Sequence, residues 1–451
     1  MAIPIIQART ARGRAQALAL RDRLRGGGLT ASGQGQGDIP EAVAAIIADV
    51  ARRGDAAVVD WTRRLHGIRP TPRQLWVSPA EIRAAHRAAD PAFLRLMRGA
   101  AANIRRYQRR IMIQAPAPIC AGGRQLGVRY TPLARVAMHV PGGKAAYPSS
   151  LLMTVVPAQV AGVGEIVIVT PPGPGGKPRA VVLELAGELG VQRVLCAAGV
   201  AALAALAIGT QTIAPVDKIV GPGNAYVTEA KRQLLGRVGI DSTAGPSEVL
   251  IIADASARPE WVAADLLAQA EHDPGSAVLV TDSFALAQKV QTAVGQLLPK
   301  LQRRAALEKA MAEYSAIIVV GSLAQACQVA NDFAPEHLQI LTRRPREVLA
   351  AIRNAGAIFI GPYTPVPLGD YWAGPSHVLP TGGTARFFSP LSVNDFLKAS
   401  SLVEYDAAAL AADAPKVARF ACYEGLTAHA QAVEIRLEKK DRHKDTKSTK
   451  K

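Results

Sequence analysis

The sequence predicts an α/β fold with two Rossmann-like lobes built on parallel sheets. Three observations carry this reading. From about residue 131, short apolar strands alternate with Ala-rich helices (RVAMHV, EIVIVTPP, RVLCAA, KIVGPGN), which is the pattern of βαβ units. A second series of the same kind starts at EVLIIAD (248 to 254) and runs through SAVLVT, SAIIVV, LQILT and GAIFIG. The chain is also long and apolar enough to bury two such cores, with 451 residues of which 49% are hydrophobic. Two similar sheets imply a cleft between lobes, where small ligands bind.

The elements follow in order. Residues 1 to 30 carry six Arg against one Asp, and the Gly-rich stretch GGGLTASGQGQGD (26 to 38) separates this arm from the first strongly periodic helix. That helix, near 40 to 52, places Val43, Ile46, Ile47 and Val50 at helical spacing. More helix follows over 81 to 110, with Pro91 opening a second segment and RRYQRR forming an exposed basic face at its end. Within the first strand series, Gly221-Pro222-Gly223-Asn224-Ala225-Tyr226 joins a strand to a helix, a place where backbone N–H groups can meet a phosphate. Tyr226 at the third-glycine position leaves the dinucleotide fingerprint incomplete. The loop PPGPGGKP (171 to 178) lacks the GK[ST] ending of a P-loop and reads as a surface turn. At the far end, residues 436 to 451 (RLEKKDRHKDTKSTKK) have no apolar periodicity and are expected to be a disordered basic tail.

Charge and composition exclude several functions. Of the net +17, each end contributes +5, which leaves +7 for everything between them. With no aromatic RNA-binding motif, zinc finger or helix-turn-helix signature, nucleic acid is not an expected partner. The longest apolar run, residues 194 to 208, has 15 residues against the roughly 20 that a bilayer requires, so no membrane span is expected. The start MAIPIIQARTARGR has neither the apolar run nor the cleavage site of a secretory signal, and a cytoplasmic protein is expected. Cys120, Cys196, Cys327 and Cys422 stand far apart without a CxxC pair, so they read as buried, reduced thiols.

The chemistry concentrates around four of the eight histidines. In DLLAQAEHDPGS, a helix starting at Pro259-Glu260 and ending at Asp273-Pro274 would put Gln269 and His272 on one face of its last turn, able to grip one metal ion. In NDFAPEHLQI, Pro335 favours the first turn of a helix, and Glu336-His337 directly after it supplies two proton acceptors of different pKa. Such a pair suits a reaction with more than one proton transfer. PLGDYWAGPSHVLPTGG places Asp370 and His377 in a loop rich in Gly, Pro and aromatics, and CYEGLTAHAQAVEIR puts Glu424 just before a helix and His429 inside it. Singly these signals are bland.

In order, they resemble one family. Gly245-Pro246-Ser247-Glu248, Gln269-Ala270-Glu271-His272-Asp273-Pro274, Ala334-Pro335-Glu336-His337-Leu338, Gly369-Asp370, Gly374-Pro375-Ser376-His377, the run LPTGGTAR (379 to 386) and Glu424 to His429 are similar to the motifs of histidinol dehydrogenase, over roughly residues 36 to 435. The resemblance implies an enzyme that holds L-histidinol on one zinc ion per subunit while NAD oxidises the alcohol to the aldehyde and then to the carboxylate of histidine. The implied metal ligands are Gln269, His272, Asp370 and His429, a donor set suited to zinc. His337 corresponds to the general base and Glu336 to the residue that helps activate water at the aldehyde stage. Ser247, His377 and Glu424 correspond to further substrate contacts and Asn224 to an NAD contact.

The resemblance also implies a homodimer with shared active sites, Glu424 and His429 coming from the partner. It orders the chain as an N-terminal helical arm with a Gly-rich linker (1–35), a main α/β lobe carrying the metal and catalytic residues (36–130 plus 246–385), an inserted Rossmann-like lobe (131–245), a C-terminal helical segment crossing the dimer (386–435) and the basic tail (436–451). Two departures fall together: His139 stands where members commonly carry Tyr, and Ala201 where they commonly carry Gln, both at positions associated with NAD. Weaker nucleotide binding is expected from the loss of the amide. The same residues also accommodate a paralogue acting on another amino alcohol or hydroxy compound with altered NAD use.

Overall fold

The computed structural model describes residues 3–25, 38–142, 147–243, 245–272 and 274–437. The Gly-rich linker and the basic tail anticipated above therefore lie almost wholly outside the described residues. Along the chain the strands are β1 (Ile5–Gln7), β2 (Ile119–Ala121), β3 (Arg124–Pro132), β4 (Arg135–His139), β5 (Glu165–Thr170), β6 (Arg193–Cys196), β7 (Lys218–Val220), β8 (Gly239–Ile240), β9 (Ser247–Ala253), β10 (Gly275–Thr281), β11 (Ala316–Val319), β12 (His337–Leu341), β13 (Ala357–Ile360) and β14 (Leu397–Tyr405). Both predicted strand series are present, and the protein is α/β with parallel sheets.

Contacts divide the chain into two compact units, Met1–Met112 with Pro132–Phe396, and Ile113–Thr131 with Leu397–Lys451. The first holds two sheets. One has six strands in the order β1-β11-β10-β9-β12-β13, the other five in the order β6-β5-β4-β7-β8, and every pairing in both is parallel. Alternation along the strands of the larger sheet fills two cores. Ile251, Leu279 and Ile317 meet the helices Pro259–Ala270 and Phe284–Leu297, while Leu250, Val278, Ile318 and Leu338 meet Ala11–Leu24 and Leu323–Phe333.

The helix Asp38–Arg53 buries Val43, Ile46 and Val50, each such side chain contributing roughly 1.5–3 kcal/mol. Its receiving surface is the helix Gly199–Ile208 and the core of the five-stranded sheet. Pro79–Ala88 starts with a capping box in which Ser78 and Glu81 satisfy each other's backbone N–H, and Pro91–Ile111 starts behind Asp90, whose carboxylate accepts from Ala92 N–H at 2.9 Å. These two helices pack on Ala180–Glu188 and Pro148–Ala161 of the same layer. In the second unit the sheet order is β14-β3-β2, Ala407–Tyr423 packs on Thr427–Glu434 through Ala418, Ala421 and Ala430, and Arg124 pairs with Asp413 at 2.6 Å.

Cys196 and Cys327 are buried thiols as expected, but Cys120 and Cys422 are exposed: β2 is exposed along its whole length, and Cys422 is not among the residues that Ala407–Tyr423 buries. Among the described residues no helix is long and apolar enough to cross a membrane.

Candidate active site

The amino ends of β9, β10 and β12 bring the ionisable residues of the first unit together. Ser247 and Glu248 open β9, Gly275 opens β10 and His337 opens β12. The sequence suggested a helix after Pro335; the structure has the opposite polarity there. The helix Leu323–Phe333 ends with Ala334 in the left-handed region (φ 49°, ψ 59°), Pro335 cannot continue it, and Glu336-His337 pass straight into a strand.

Glu336 and His337 are 5% and 4% exposed. The His337 Nδ1 lies 3.1 Å from the Glu248 carbonyl oxygen, which can only accept, so Nδ1 carries a proton and donates it. Glu336 Oε2 lies 3.4 Å from the same nitrogen and accepts the Glu248 backbone N–H at 2.8 Å. On the other side of the ring, Nε2 is buried and stands 3.7 Å from Asp370 Oδ1, the separation of an ion pair rather than a hydrogen bond. Burial opposes charge on this imidazole, but the Glu336 and Asp370 carboxylates outweigh it and lift the ring to about 10. Burial also penalises the Asp370 carboxylate, and the His337, His377 and His272 imidazoles more than compensate, holding it below the usual range. Glu248 moves the other way: burial first, then the Glu336 charge, push it up to about 8 against the pull of the Gly382, Glu336 and Gly383 N–H groups.

Asp370 lies in a short helix, Val366–Tyr371, rather than in a loop. A Cβ on Gly369 would come within 2.7 Å of the Phe359 ring, so glycine lets this helix close on Phe359, which in turn flanks the His337 ring at 5.9 Å. His377 Nδ1 meets the Asp370 carbonyl at 3.0 Å, and its Nε2 lies 3.4 Å from Ser150 Oγ at the start of Pro148–Ala161. Burial pushes the His377 imidazole down, towards the neutral form.

Gln269 sits in the last turn of Pro259–Ala270, 3% exposed, and its Nε2 has no partner among the described residues. His272 lies just beyond that helix rather than in its last turn, its N–H reaching back to the Gln269 carbonyl at 3.3 Å. A Cβ on Gly275 would sit 2.5 Å from that carbonyl, so glycine permits the reversal into β10. Among the described residues no three His, Cys, Asp or Glu side chains converge closely enough to hold a metal. Within this unit the expected set contributes His272, Asp370 and the Gln269 amide, while His429, exposed in Thr427–Glu434, and Glu424, exposed at the end of Ala407–Tyr423, belong to the second unit.

The expected nucleotide residues lie in the other sheet. β4 has β5 on one side and β7 on the other, so its carboxyl end with that of β7 is the switch point of a doubly wound sheet, where ligands bind. His139 ends β4, and Gly221–Asn224 follow β7. The Asn224 Oδ1 accepts the Val227 N–H at 3.1 Å and caps the next helix, which leaves its amide N–H₂ for a ligand. The His139 Nδ1 donates to the Pro222 carbonyl at 2.6 Å, and Ala201 is 1% exposed inside the core. The Ala201 methyl offers no hydrogen bond, whereas His139 keeps its Nε2 beyond the one that Nδ1 makes.

Sequence reasoning assigned no role to Glu248. The signal was available: a carboxylate opening the otherwise apolar run EVLIIA, whose burial demands partners.

Residues 30–437 match the family model described as histidinol dehydrogenase. A histidinol dehydrogenase of Geobacillus kaustophilus is 50% identical over 399 residues, covering 88% of this chain and 94% of that protein. One from Bacillus subtilis is 48% identical over 396 residues, covering 87% of this chain and 92% of that protein. The crystal structure of histidinol dehydrogenase from Elizabethkingia anophelis superposes with a TM-score of 0.85 at 32% identity, over 93% of this chain and 96% of that one.

Proposed function

The chain belongs to the histidinol dehydrogenase family, and from that premise we propose that it oxidises L-histidinol through L-histidinaldehyde to L-histidine, passing a hydride at each stage to cytoplasmic NAD. One observation carries the reading: the buried Glu336-His337 pair at the start of β12, with the Nδ1 of His337 committed to a carbonyl and its Nε2 left facing Asp370. In the neutral ring, Nε2 is the base. It takes the hydroxyl proton as a hydride leaves the alcohol carbon for the nicotinamide, giving aldehyde and NADH. Water adds to the aldehyde to give a gem-diol, whose one C–H, the aldehyde's own, leaves as the second hydride while one hydroxyl gives up its proton, and Glu336, adjacent to the ring, moves the further protons of that step.

The donor set fits a divalent cation. Gln269 offers a buried amide without a partner, Asp370 a carboxylate held ionised, and His272 an imidazole at the same edge of the sheet. We assign zinc to Gln269, His272 and Asp370, completed by His429 of the partner subunit in a homodimer that also contributes Glu424. Zinc held there by Gln269, His272 and Asp370 would supply positive charge able to accept substrate nitrogens, and would offset the Asp370 charge that favours protonation of His337. Ser247 at the mouth of β9 and His377 beside Ser150 complete the substrate contacts, and Asn224 those to NAD.

The test is NADH formation from L-histidinol by protein purified without chelator, compared after chelation and after zinc return, with elemental analysis alongside. The expected result is one zinc per subunit and activity that follows zinc content. Absence of turnover with histidinol in zinc-loaded, folded protein refutes the substrate, and activity independent of any bound metal refutes the zinc site.

A further inference from the structure

Glu248 is a buried carboxyl, 6% exposed, that the proton transfers above do not use. Its Oε1 accepts the Gly382 N–H at 2.8 Å and the Glu336 N–H at 3.3 Å. Its own N–H donates to Glu336 Oε2 at 2.8 Å, and its carbonyl takes the His337 Nδ1–H at 3.1 Å. Each of the two acids therefore uses its backbone N–H to hold the other's carboxylate, across neighbouring parallel strands, and the same side chain reaches a third segment at Gly382. The Gly245 N–H, on the approach to β9, bonds to Thr381 Oγ1 and ties that segment in from a second point.

We propose that Glu248 is a positioning residue for the Glu336-His337 pair, its side chain fastening the turn at Gly382 to the start of β12 so that the Glu336 carboxylate and the His337 ring keep their directions. This rests on the reading of Glu336 and His337 as the proton-transfer pair. An apolar residue of similar size would fill the space but leave two buried N–H groups without acceptors, and the start of β12 would shift to find others. Glutamine keeps an acceptor oxygen at the same reach and resembles the neutral carboxyl that burial beside Glu336 favours.

The experiment compares Glu248→Ala and Glu248→Gln in zinc-loaded protein. A displacement of about 1 Å at a catalytic group costs up to roughly 10²-fold, so kcat in the alanine variant should fall by tenfold to a hundredfold. The KM for histidinol should move by less than about threefold, since no substrate contact is lost. Glu248→Gln should recover most of the turnover. A second readout needs no turnover: in protein labelled with ¹⁵N-histidine, the His337 Nδ1–H at the Glu248 carbonyl should resist solvent exchange in the parent and the glutamine variant and exchange freely in the alanine variant. Should alanine fail to fold, Glu248→Asp, one methylene shorter, takes its place. Full kcat in the alanine or aspartate variant, or a glutamine variant no better than alanine, overturns the proposal. If the parent protein does not oxidise histidinol, the functional reading fails by itself, and an unchanged exchange rate at His337 is then the result that overturns the role of Glu248.

Discussion

Lys231 and Asp241 form an ion pair whose side chains are only 2% and 4% exposed, and both hold Gly221: the ammonium donates to the Gly221 carbonyl at 3.2 Å, and the Gly221 N–H donates to Asp241 Oδ2 at 2.7 Å. The pair braces the turn that carries Asn224. Breaking a buried pair leaves one uncompensated charge, so Lys231→Met should cost roughly 3–5 kcal/mol in urea unfolding at pH 7. The double variant Lys231→Met/Asp241→Leu should cost less than the single one, because nothing charged is left behind. A double variant as unstable as the sum of the two singles would show that the residues act separately.

His337→Asn should lower turnover by roughly 10²- to 10⁴-fold, the usual worth of a general base, while zinc content stays at the parent level. Glu336→Gln should slow oxidation of histidinaldehyde more than that of histidinol. Stopped-flow measurement of the two NADH-forming steps separates them, and equal losses in both contradict the division of labour.

His139 gives the fold a pH dependence of predictable sign. Burial is the main cause that lowers its pKa from 6.5 to about 4, with the Pro222 carbonyl pulling the other way. Above 6.5 both folded and unfolded chains carry a neutral ring. As the pH falls from there towards 4 the unfolded chain gains a proton that the folded one refuses, so stability drops on acidification, by at most roughly 3 kcal/mol. His139→Gln should flatten this part of the pH–stability curve. A variant as acid-sensitive as the parent between pH 6.5 and 4 assigns the effect to other groups.

Mixing inactive His337→Asn subunits with inactive His429→Ala subunits should restore activity, because a heterodimer with shared sites contains one site with neither defect. Statistical exchange allows up to roughly a quarter of parental sites to be recovered. Demonstrated subunit exchange with no recovery excludes the shared-site arrangement.

Strands β4 to β7 and β9 to β13 were legible because each is a short apolar run flanked by turn residues, and two sheets of such runs leave few alternatives to an α/β fold. β1, β2, β3, β8 and β14 were not, being very short or, like β3 and β14, largely exposed and polar, and β14 falls in a segment expected to be helical. Helix 38–53 was legible as an amphipathic element from Val43, Ile46 and Val50, yet periodicity only says that an apolar face exists, not that Gly199–Ile208 receives it. Pro335 misled for a related reason: proline fits the first turn of a helix and the residue after its end equally well, and the left-handed Ala334 that decides between them is invisible in composition. Motif resemblance pointed to the side chains at the mouths of β9 and β12. It included Glu248 without giving it a role and left out Lys231; their partners lie 88 and 10 residues away and become neighbours only through the fold.

β1 has a consequence for how the protein is made. Its partner is β11, Ile5 lying opposite Ile317, and the Arg9 guanidinium next to it bonds to the Val320 carbonyl across 311 positions. During synthesis this strand leaves the ribosome before the rest of its sheet and waits for its partner while more than 300 residues are added, roughly 15 to 60 s at 5–20 residues per second. The other five strands of its sheet start no earlier than Ser247, so the five-stranded sheet can be complete on the nascent chain while β1 is still unpaired. β1 is thus made before every other strand of its sheet, yet it can dock only once β11 has followed it out.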